Sequence, residues 1–188
     1  MFGAPGSGKG TQCKILGAIP GYVHFSCGDV FRSLNPETPL GKVFVQYSSR
    51  GELVPDGPTM ELWKGYAHGL VGTGRFHPAK DTLILDGLPR NVSQARMLKK
   101  FLNVVAVFYL CSENVENLVK RLQRRALKDN RLDDANMDVI RARLKTYEKE
   151  TKPVLNYYGK GMVHLINTDG TPTETFYKVL KQVMKLRH

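Results

Sequence analysis

Residues 3 to 9, Gly3-Ala-Pro-Gly-Ser-Gly-Lys9, decide the fold because they match the phosphate-loop pattern GxxxxGK. Glycines let successive backbone N–H groups point into one concavity that binds anionic oxygens. The helix predicted from Lys9 to Leu16 turns its N-terminus toward the same phosphates, and the lysine adds a full positive charge. Gly10 stands where Ser or Thr is usual, and Thr11 follows it. We therefore expect a nucleotide's phosphates to bind the residues Gly6, Ser7, Gly8, Lys9, Gly10 and Thr11.

Short apolar runs alternate with helical patterns along the rest of the chain, which is typical of an α/β fold with a parallel sheet. The predicted strands are Tyr22–Phe25, Thr82–Leu85, Val104–Leu110 and Val163–Ile166. Their almost continuous apolarity predicts burial on both faces. Only Met1 and Phe2 precede the loop, so either the start of the sequence is truncated or mis-assigned, or the strand that leads into the loop is short. The predicted later helices are Glu113–Leu127, Met137–Tyr158 with a bend or break near Pro153, and Thr173–Leu186 with Thr173 as N-cap.

The length and composition limit the class of protein. With 188 residues, of which 41% are hydrophobic, the chain suits a single globular domain. No apolar stretch approaches the roughly 18 residues that a membrane span needs, and no leader pattern begins the sequence. The cysteines Cys13, Cys27 and Cys111 are far apart, which argues against a zinc site or a disulfide framework. We expect a reducing compartment, the cytoplasm, and no membrane partner.

The net charge of +11 (28 Lys and Arg minus 17 Asp and Glu) attracts polyanions such as nucleic acid, acidic lipid or nucleotides. A merely solvated basic surface would give the same composition. Basic residues interleaved with exposed aromatic residues for base stacking are not evident, so we expect no nucleic-acid partner. A non-catalytic nucleotide or nucleic-acid binding module remains the alternative from another functional class.

The longer form Gly3-Ala-Pro-Gly-Ser-Gly-Lys-Gly-Thr-Gln12 resembles the phosphate loop of adenylate kinase and its nucleoside monophosphate kinase relatives, in which Gly-Thr follows the lysine. Further segments that occur in that family's order are Phe25–Arg32, Gly51–Asp56, Leu85–Gln94, Arg131–Asp134 and Arg143–Tyr158. The resemblance covers essentially the whole chain. It implies a P-loop NTPase three-layer fold and a usually monomeric enzyme. The implied reaction is reversible, Mg²⁺-dependent transfer of the ATP γ-phosphoryl group to a nucleoside monophosphate.

The resemblance also implies a division of the chain. The core would comprise residues 1–26, 57–125 and 135–188, with a helical monophosphate-binding insertion at 27–56 and a short lid at 126–134. Closure of the insertion and the lid would exclude water and bring the arginines together. The lid is too short for the four-cysteine cluster of long-lid relatives, so no zinc is expected.

By resemblance, Lys9 and four arginines are catalytic because they stabilise the charge of the transferred group; the arginines are Arg90, Arg125, Arg131 and Arg143. The adenine of the donor ATP would contact Arg121, and Pro172 would also belong to the ATP site. The residues expected to bind the monophosphate are Cys27, Arg32, Glu52, Leu53, Val54, Gly87, Leu88, Pro89, Arg90, Gln94, Arg131 and Arg143. Asp133 and Asp134 would orient the arginines. The spacing from Asp134 to Arg143 is one residue longer than usual, which leaves Arg141 as a rival.

Asp86 follows a buried strand at the carboxyl edge of the predicted sheet, where open α/β folds bind ligands. Its carboxylate is expected to hold Mg²⁺ through water, because this ion keeps part of its hydration shell. The capping of the following turn is the structural alternative.

Two residues bear on the identity of the monophosphate. In adenylate kinases a glutamine at the position of Gln94 pairs with the AMP adenine, since an amide can both donate and accept. Cys27 stands where those enzymes commonly have threonine, and a thiol is a weaker donor. We therefore expect ATP and AMP to give two ADP, with UMP or CMP as the alternative acceptor.

Overall fold

Short parallel strands form the central sheet of the computed structural model, which describes residues 1–129, 134 and 136–186. In chain order the strands are β1 (Phe2–Gly3), β2 (Tyr22–Ser26), β3 (Thr82–Asp86), β4 (Val107–Cys111) and β5 (Val163–Asn167). Hydrogen bonds join them in the orders β1-β4-β5 and β2-β3, and every pairing is parallel. The predicted α/β class with a central parallel sheet is confirmed.

Helices connect the strands and cover the sheet. They are α1 (Lys9–Leu16), α2 (Cys27–Arg32), α3 (Pro39–Ser48), α4 (Asp56–Gly72), α5 (Val92–Leu98), α6 (Val115–Lys128), α7 (Met137–Thr146), α8 (Val154–Tyr158) and α9 (Pro172–Lys185). A π-helical turn, Tyr147–Thr151, separates α7 from α8. Among these described helices none has both the length and the apolar composition needed to cross a membrane.

The first strand comprises only two residues and lies in the middle of the sheet. Phe2 and Gly3 align with residues of β4. On the other side the Met1 amine donates a hydrogen bond of 2.9 Å to the Leu85 carbonyl oxygen of β3. These contacts place the strands in the order β2-β3-β1-β4-β5, so that the phosphate loop leaves the sheet at its centre.

Apolar side chains on both faces of the sheet explain the three layers. Successive residues of a strand point to opposite faces. Ile84 of β3 packs in a cluster with apolar residues of α1 and α9. Its neighbours Leu83 and Leu85 pack against a second cluster that α2, α4 and α5 supply. Helices therefore lie on both sides of the sheet.

The prediction that the strands are buried on both faces is wrong for β5. Leu165 in the middle of this strand is 70% exposed, whereas its neighbour Ile166 is buried. The strand lies at the edge of the sheet, where it pairs with β4 and packs against α9. Apolar residues alone did not distinguish this edge position from a central one.

Several predicted boundaries of strands and helices in the C-terminal half of the chain differ from those in the structure. The fourth strand begins at Val107 rather than Val104. The predicted helix Met137–Tyr158 is interrupted by the π-helical turn, and Pro153 occupies the cap of α8, where its missing N–H costs least. Thr171, not Thr173, is the N-cap of α9. It forms a capping box with Glu174, in which each side chain accepts from the other's backbone N–H.

Candidate active site

The phosphate loop follows β1 and has the backbone geometry of an anion-binding concavity. Gly6 and Gly8 have φ of 84° and 91°, in the left-handed region that favours glycine. A Cβ on Gly6 would lie 2.5 Å from the Leu118 carbonyl oxygen of α6, so the close approach of α6 excludes a side chain there. Gly8 is the N-cap of α1, and its turn exposes the first N–H groups of that helix to the cavity.

The side chain of Lys9 folds back over the phosphate loop. Its Nζ donates hydrogen bonds of 2.6 Å to the Gly3 carbonyl oxygen and 3.0 Å to that of Ala4. Burial lowers the pKa of Lys9 to about 8, with Asp86 opposing the shift and three nearby arginines adding to it. The lysine is therefore held where positive charge is crowded and an anionic ligand would relieve the repulsion.

A measurable proton uptake should accompany nucleotide binding at this lysine. In the free protein Lys9 is about half neutral at pH 8, because its pKa is about 8. A phosphate beside the ammonium group raises that pKa, so bound Lys9 is protonated. Titration calorimetry with MgATP in buffers of different ionisation enthalpy should show uptake of about half a proton at pH 8 and almost none at pH 6.5.

The matched control for this titration is Lys9→Arg, because a guanidinium stays charged throughout the pH range. Residual MgATP binding by that variant should proceed without proton uptake at pH 8. Equal uptake by wild type at both pH values, or uptake that survives in Lys9→Arg, would contradict the assignment of the shifted pKa to Lys9.

Asp86 ends β3 directly beneath the loop, and its side chain is only 12% exposed. His24 Nε2 lies 3.6 Å from its Oδ2. Burial opposes ionisation of the carboxyl group, but His24, Lys9 and the terminal amine together lower its pKa. A Cβ on Gly10 would lie 3.4 Å from Oδ2, so glycine leaves the carboxylate open to the loop. An ionised carboxylate beside the phosphate loop fits the water-mediated Mg²⁺ site that the sequence predicts.

Asp134 brings two arginines of different helices together. Its side chain is fully buried. Arg125 of α6 donates from Nε to Oδ2 at 2.7 Å, and its Nη2 lies 2.6 Å from the same oxygen. Arg143 of α7 donates to the other carboxylate oxygen. The expectation that Asp134 orients arginines agrees with this arrangement, which fixes two guanidinium groups beside the phosphate loop.

The segment after β3 positions Arg90. Its Nε donates to the Gly87 carbonyl oxygen at 2.9 Å, and Thr151 of the π-helical turn donates to the Arg90 carbonyl oxygen at 2.7 Å. Arg32, at the end of the helix that follows β2, pairs with Asp29 of the same helix. Arg32 and Arg90, which are two of the arginines predicted to hold the monophosphate, thus reach the cavity from segments that follow adjacent strands.

The opposite end of the cavity lies between α1, α6 and the start of α9. Arg121 donates from Nη2 to the Thr168 carbonyl oxygen at 2.8 Å. Gln12 donates from Nε2 to the Pro172 carbonyl oxygen at 3.1 Å, while its Oε1 is buried without a partner among the described residues. These contacts fix the wall on which the resemblance places the donor adenine.

A cavity of about 990 Å³ joins these regions. The predicted site residues that line it are Gly6, Ser7, Gly8, Lys9, Gly10, Thr11, Cys27, Arg32, Glu52, Leu53, Val54, Asp86, Gly87, Pro89, Arg90, Gln94, Arg121, Arg125, Arg143 and Pro172. Arg143 lines the cavity, whereas the side chain of its rival Arg141 is 73% exposed and pairs with Asp138.

Among the predicted site residues that the structure describes, Leu88 does not line this cavity. Leu88 is 1% exposed and packs in the cluster of α2, α4 and α5, so its side chain belongs to the core, and its contact with substrate stays a prediction. It points into the core because its neighbours Gly87 and Pro89 turn toward the cavity. Arg131, like Asp133, lies outside the described residues.

Several polar residues that support the site were not predicted from the sequence. They are Gln12, Asp56, Asn91 and Thr151. All four stand inside the segments that resemble the family's motifs, and this position was the available signal. The partner of Thr151 is Arg90, 61 residues away in the chain, so the sequence alone does not indicate this contact.

Comparison with known proteins agrees with this geometry. The sequence profile of the family described as adenylate kinase matches residues 1–163. An adenylate kinase of Parabacteroides distasonis is 38% identical over 193 residues, which cover 100% of this chain and 97% of the relative. Adenylate kinase isoenzyme 1 of Gallus gallus is 34% identical, with 99% and 93% covered, and that of Homo sapiens is 31% identical, with 100% and 94% covered. The family profile and these nearly full-length alignments show that the chain belongs to the adenylate kinase family.

Proposed function

We propose that the chain is an ATP:AMP phosphotransferase, which converts ATP and AMP reversibly into two ADP. The observation that carries this proposal is the convergence of cations on the phosphate loop. Arg90, Arg125 and Arg143 lie near enough to Lys9 to lower its pKa, and all of them line one cavity. Such a set suits a transferred phosphoryl group, which needs positioning and charge stabilisation rather than a protein nucleophile.

In the proposed reaction an AMP phosphate oxygen forms a bond to the γ-phosphorus as the bond from that phosphorus to the β-γ bridging oxygen breaks. The loop N–H groups and Lys9 hold the donor phosphates. Arg32 and Arg90 hold the acceptor phosphate, because a planar guanidinium binds two phosphate oxygens at once. Arg125 and Arg143, fixed by Asp134, neutralise charge on the group in transit, and Arg131 is proposed to join them.

Asp86 is the residue that would hold Mg²⁺ through water, with Thr11 in the first turn of α1 as a further contact. When bound, the ion supplies positive charge to the donor phosphates. The protein's own part is to keep the Asp86 carboxylate ionised, and the lowered pKa of this group supports that role.

The acceptor base is proposed to be adenine, which Gln94 would read. Gln94 lines the cavity together with Cys27, Arg32 and Arg90, and its Oε1 accepts a hydrogen bond of 2.8 Å from the Arg90 backbone N–H. The wall segment Glu52–Val54 closes this end, and Arg121 and Pro172 would hold the donor adenine at the other.

We propose the insertion 27–56 and the lid 126–134 as the moving parts, with the core in three segments. In the present arrangement the end of the insertion touches α7, since Thr146 donates to the Gly51 carbonyl oxygen at 3.1 Å.

The free cysteines agree with a reducing compartment, for which we propose the cytoplasm. A monomer is proposed because one chain supplies the whole cation set, and neither nucleic acid nor a membrane is proposed as a partner.

A panel of monophosphates with MgATP tests the function. ADP formation from AMP should exceed that from UMP, CMP and GMP by at least about tenfold in kcat/KM, a difference of about 1.4 kcal/mol. Lys9→Met protein purified in the same way should lose the activity, which excludes a contaminating host kinase. Preference for UMP or CMP would replace AMP in the proposal, and salt-sensitive binding of single-stranded DNA without turnover would favour a binding module.

A further inference from the structure

Asp56 forms a polar junction between the insertion and the base-reading residue. It is the first residue of α4, where the insertion rejoins the core. Its Oδ1 accepts hydrogen bonds from Gln94 Nε2 at 2.9 Å and from Asn91 Nδ2 at 2.8 Å. Burial opposes its ionisation, but the bonds from Asn91, Ser93 and Gln94 lower its pKa, so the group is a carboxylate.

The contacts of Gln94 fix which end of its amide is oxygen. Oε1 accepts from the Arg90 backbone N–H at 2.8 Å, while Nε2 donates to the Asp56 carboxylate. In the flipped orientation the NH₂ group would face an N–H, and the oxygen would face a carboxylate, so both pairs would repel. Gln94 is also buried, at 1% exposed, so the packing around it restricts rotation of its side chain, although the residue lines the cavity.

One donor and one acceptor remain on this fixed amide. Nε2 has a second hydrogen, and Oε1 has a second lone pair. Adenine offers an exocyclic amino group as donor beside a ring nitrogen as acceptor. Hypoxanthine and guanine offer the reverse, an oxygen beside a ring N–H. A glutamine that could flip would accept either type of base, whereas an amide held in one orientation accepts the amino type.

We propose that Asp56 is a specificity-determining positioning residue, which selects 6-amino over 6-oxo purine monophosphates by preventing rotation of the Gln94 amide. This inference rests on the proposed function, since it concerns the base of the acceptor. The same bonds link base reading to phosphate binding, because the Arg90 backbone N–H that holds Oε1 belongs to the arginine proposed to grip the acceptor phosphate.

Two variants of Asp56 distinguish loss of the Gln94 amide orientation from a general loss of stability. Asp56→Ala removes the acceptor for Gln94, so the amide can turn. Asp56→Asn keeps one carbonyl oxygen that can face Gln94 and Asn91, and its amide can turn toward Ser93. Steady-state kcat and KM are measured for AMP and for IMP with saturating MgATP, and melting temperature is recorded for each protein.

In Asp56→Ala, KM for AMP should rise about fivefold, the effect of one hydrogen bond. The kcat/KM of IMP relative to AMP should rise by about tenfold, with the KM for MgATP within about twofold of wild type. Asp56→Asn should retain most of the wild-type preference. This ratio compares two substrates on one preparation, so partial unfolding does not change it.

An unchanged IMP-to-AMP ratio in Asp56→Ala would overturn the proposal, and so would an equal loss of preference in the asparagine variant. Wild-type turnover of AMP tests the proposed function separately. If wild type transferred phosphate to AMP while the variant ratio stayed constant, the kinase function would stand and the role of Asp56 would fail.

Discussion

Replacement of Arg90 with alanine is expected to lower kcat by about a thousandfold or more, the range found for arginines that stabilise phosphoryl transfer. Its side chain reaches the cavity from the turn after β3, with Nε held on the Gly87 carbonyl oxygen. We expect the guanidinium nitrogens beyond Nε to contact the ligand, so their loss removes stabilisation of the transferred group. Rapid-quench and steady-state assays with MgATP and AMP measure the change.

The fold should survive this substitution, because the backbone groups of Arg90 keep their bonds to Gln94 and Thr151. Arg96→Ala is the matched control: that arginine is exposed on the next helix, α5, and its loss should leave kcat unchanged. Arg90→Lys should recover only part of the activity, since an ammonium group lacks the planar fork. Near-native turnover of Arg90→Ala would remove Arg90 from the catalytic set.

The parts of this site that were predictable from sequence are those determined by local backbone geometry. The phosphate loop is one example, because its glycines at left-handed φ and its following helix are encoded in adjacent residues. Asp86 is another, since the end of a buried strand gives its location at the sheet edge. The arginines were placed by resemblance, and their convergence could not have come from spacing alone.

The features that could not be predicted from the sequence depend on contacts between residues that are far apart in the chain. Leu88 lies between two cavity-lining residues, but its side chain packs into the core. The exposure of Leu165 depends on which strand is at the edge of the sheet. The role of Asp56 depends on a hydrogen bond across 38 residues, from Gln94. Each of these outcomes follows from tertiary packing, which a local pattern does not contain.

Replacement of Asp134 with alanine is expected to lower the free energy of unfolding by about 3 kcal/mol, the typical cost of removing one partner from a buried ion pair. Asp134 is fully buried and binds Arg125 and Arg143, which belong to different helices. Without it, two guanidinium groups repel each other beside Lys9, whose pKa is already depressed. For a chain of this size the melting temperature should fall by roughly 10 °C.

The matched control is Asp138→Ala, which breaks an exposed pair with Arg141 whose side chains are 87% and 73% exposed. Its effect should stay below about 0.5 kcal/mol, as for other surface pairs. Inorganic phosphate should also raise the melting temperature of Asp134→Ala more than that of wild type, because an anion can replace the lost carboxylate between the arginines. If the two aspartate variants lost equal stability, or phosphate stabilised wild type and Asp134→Ala alike, the arginines would not depend on Asp134 for their arrangement.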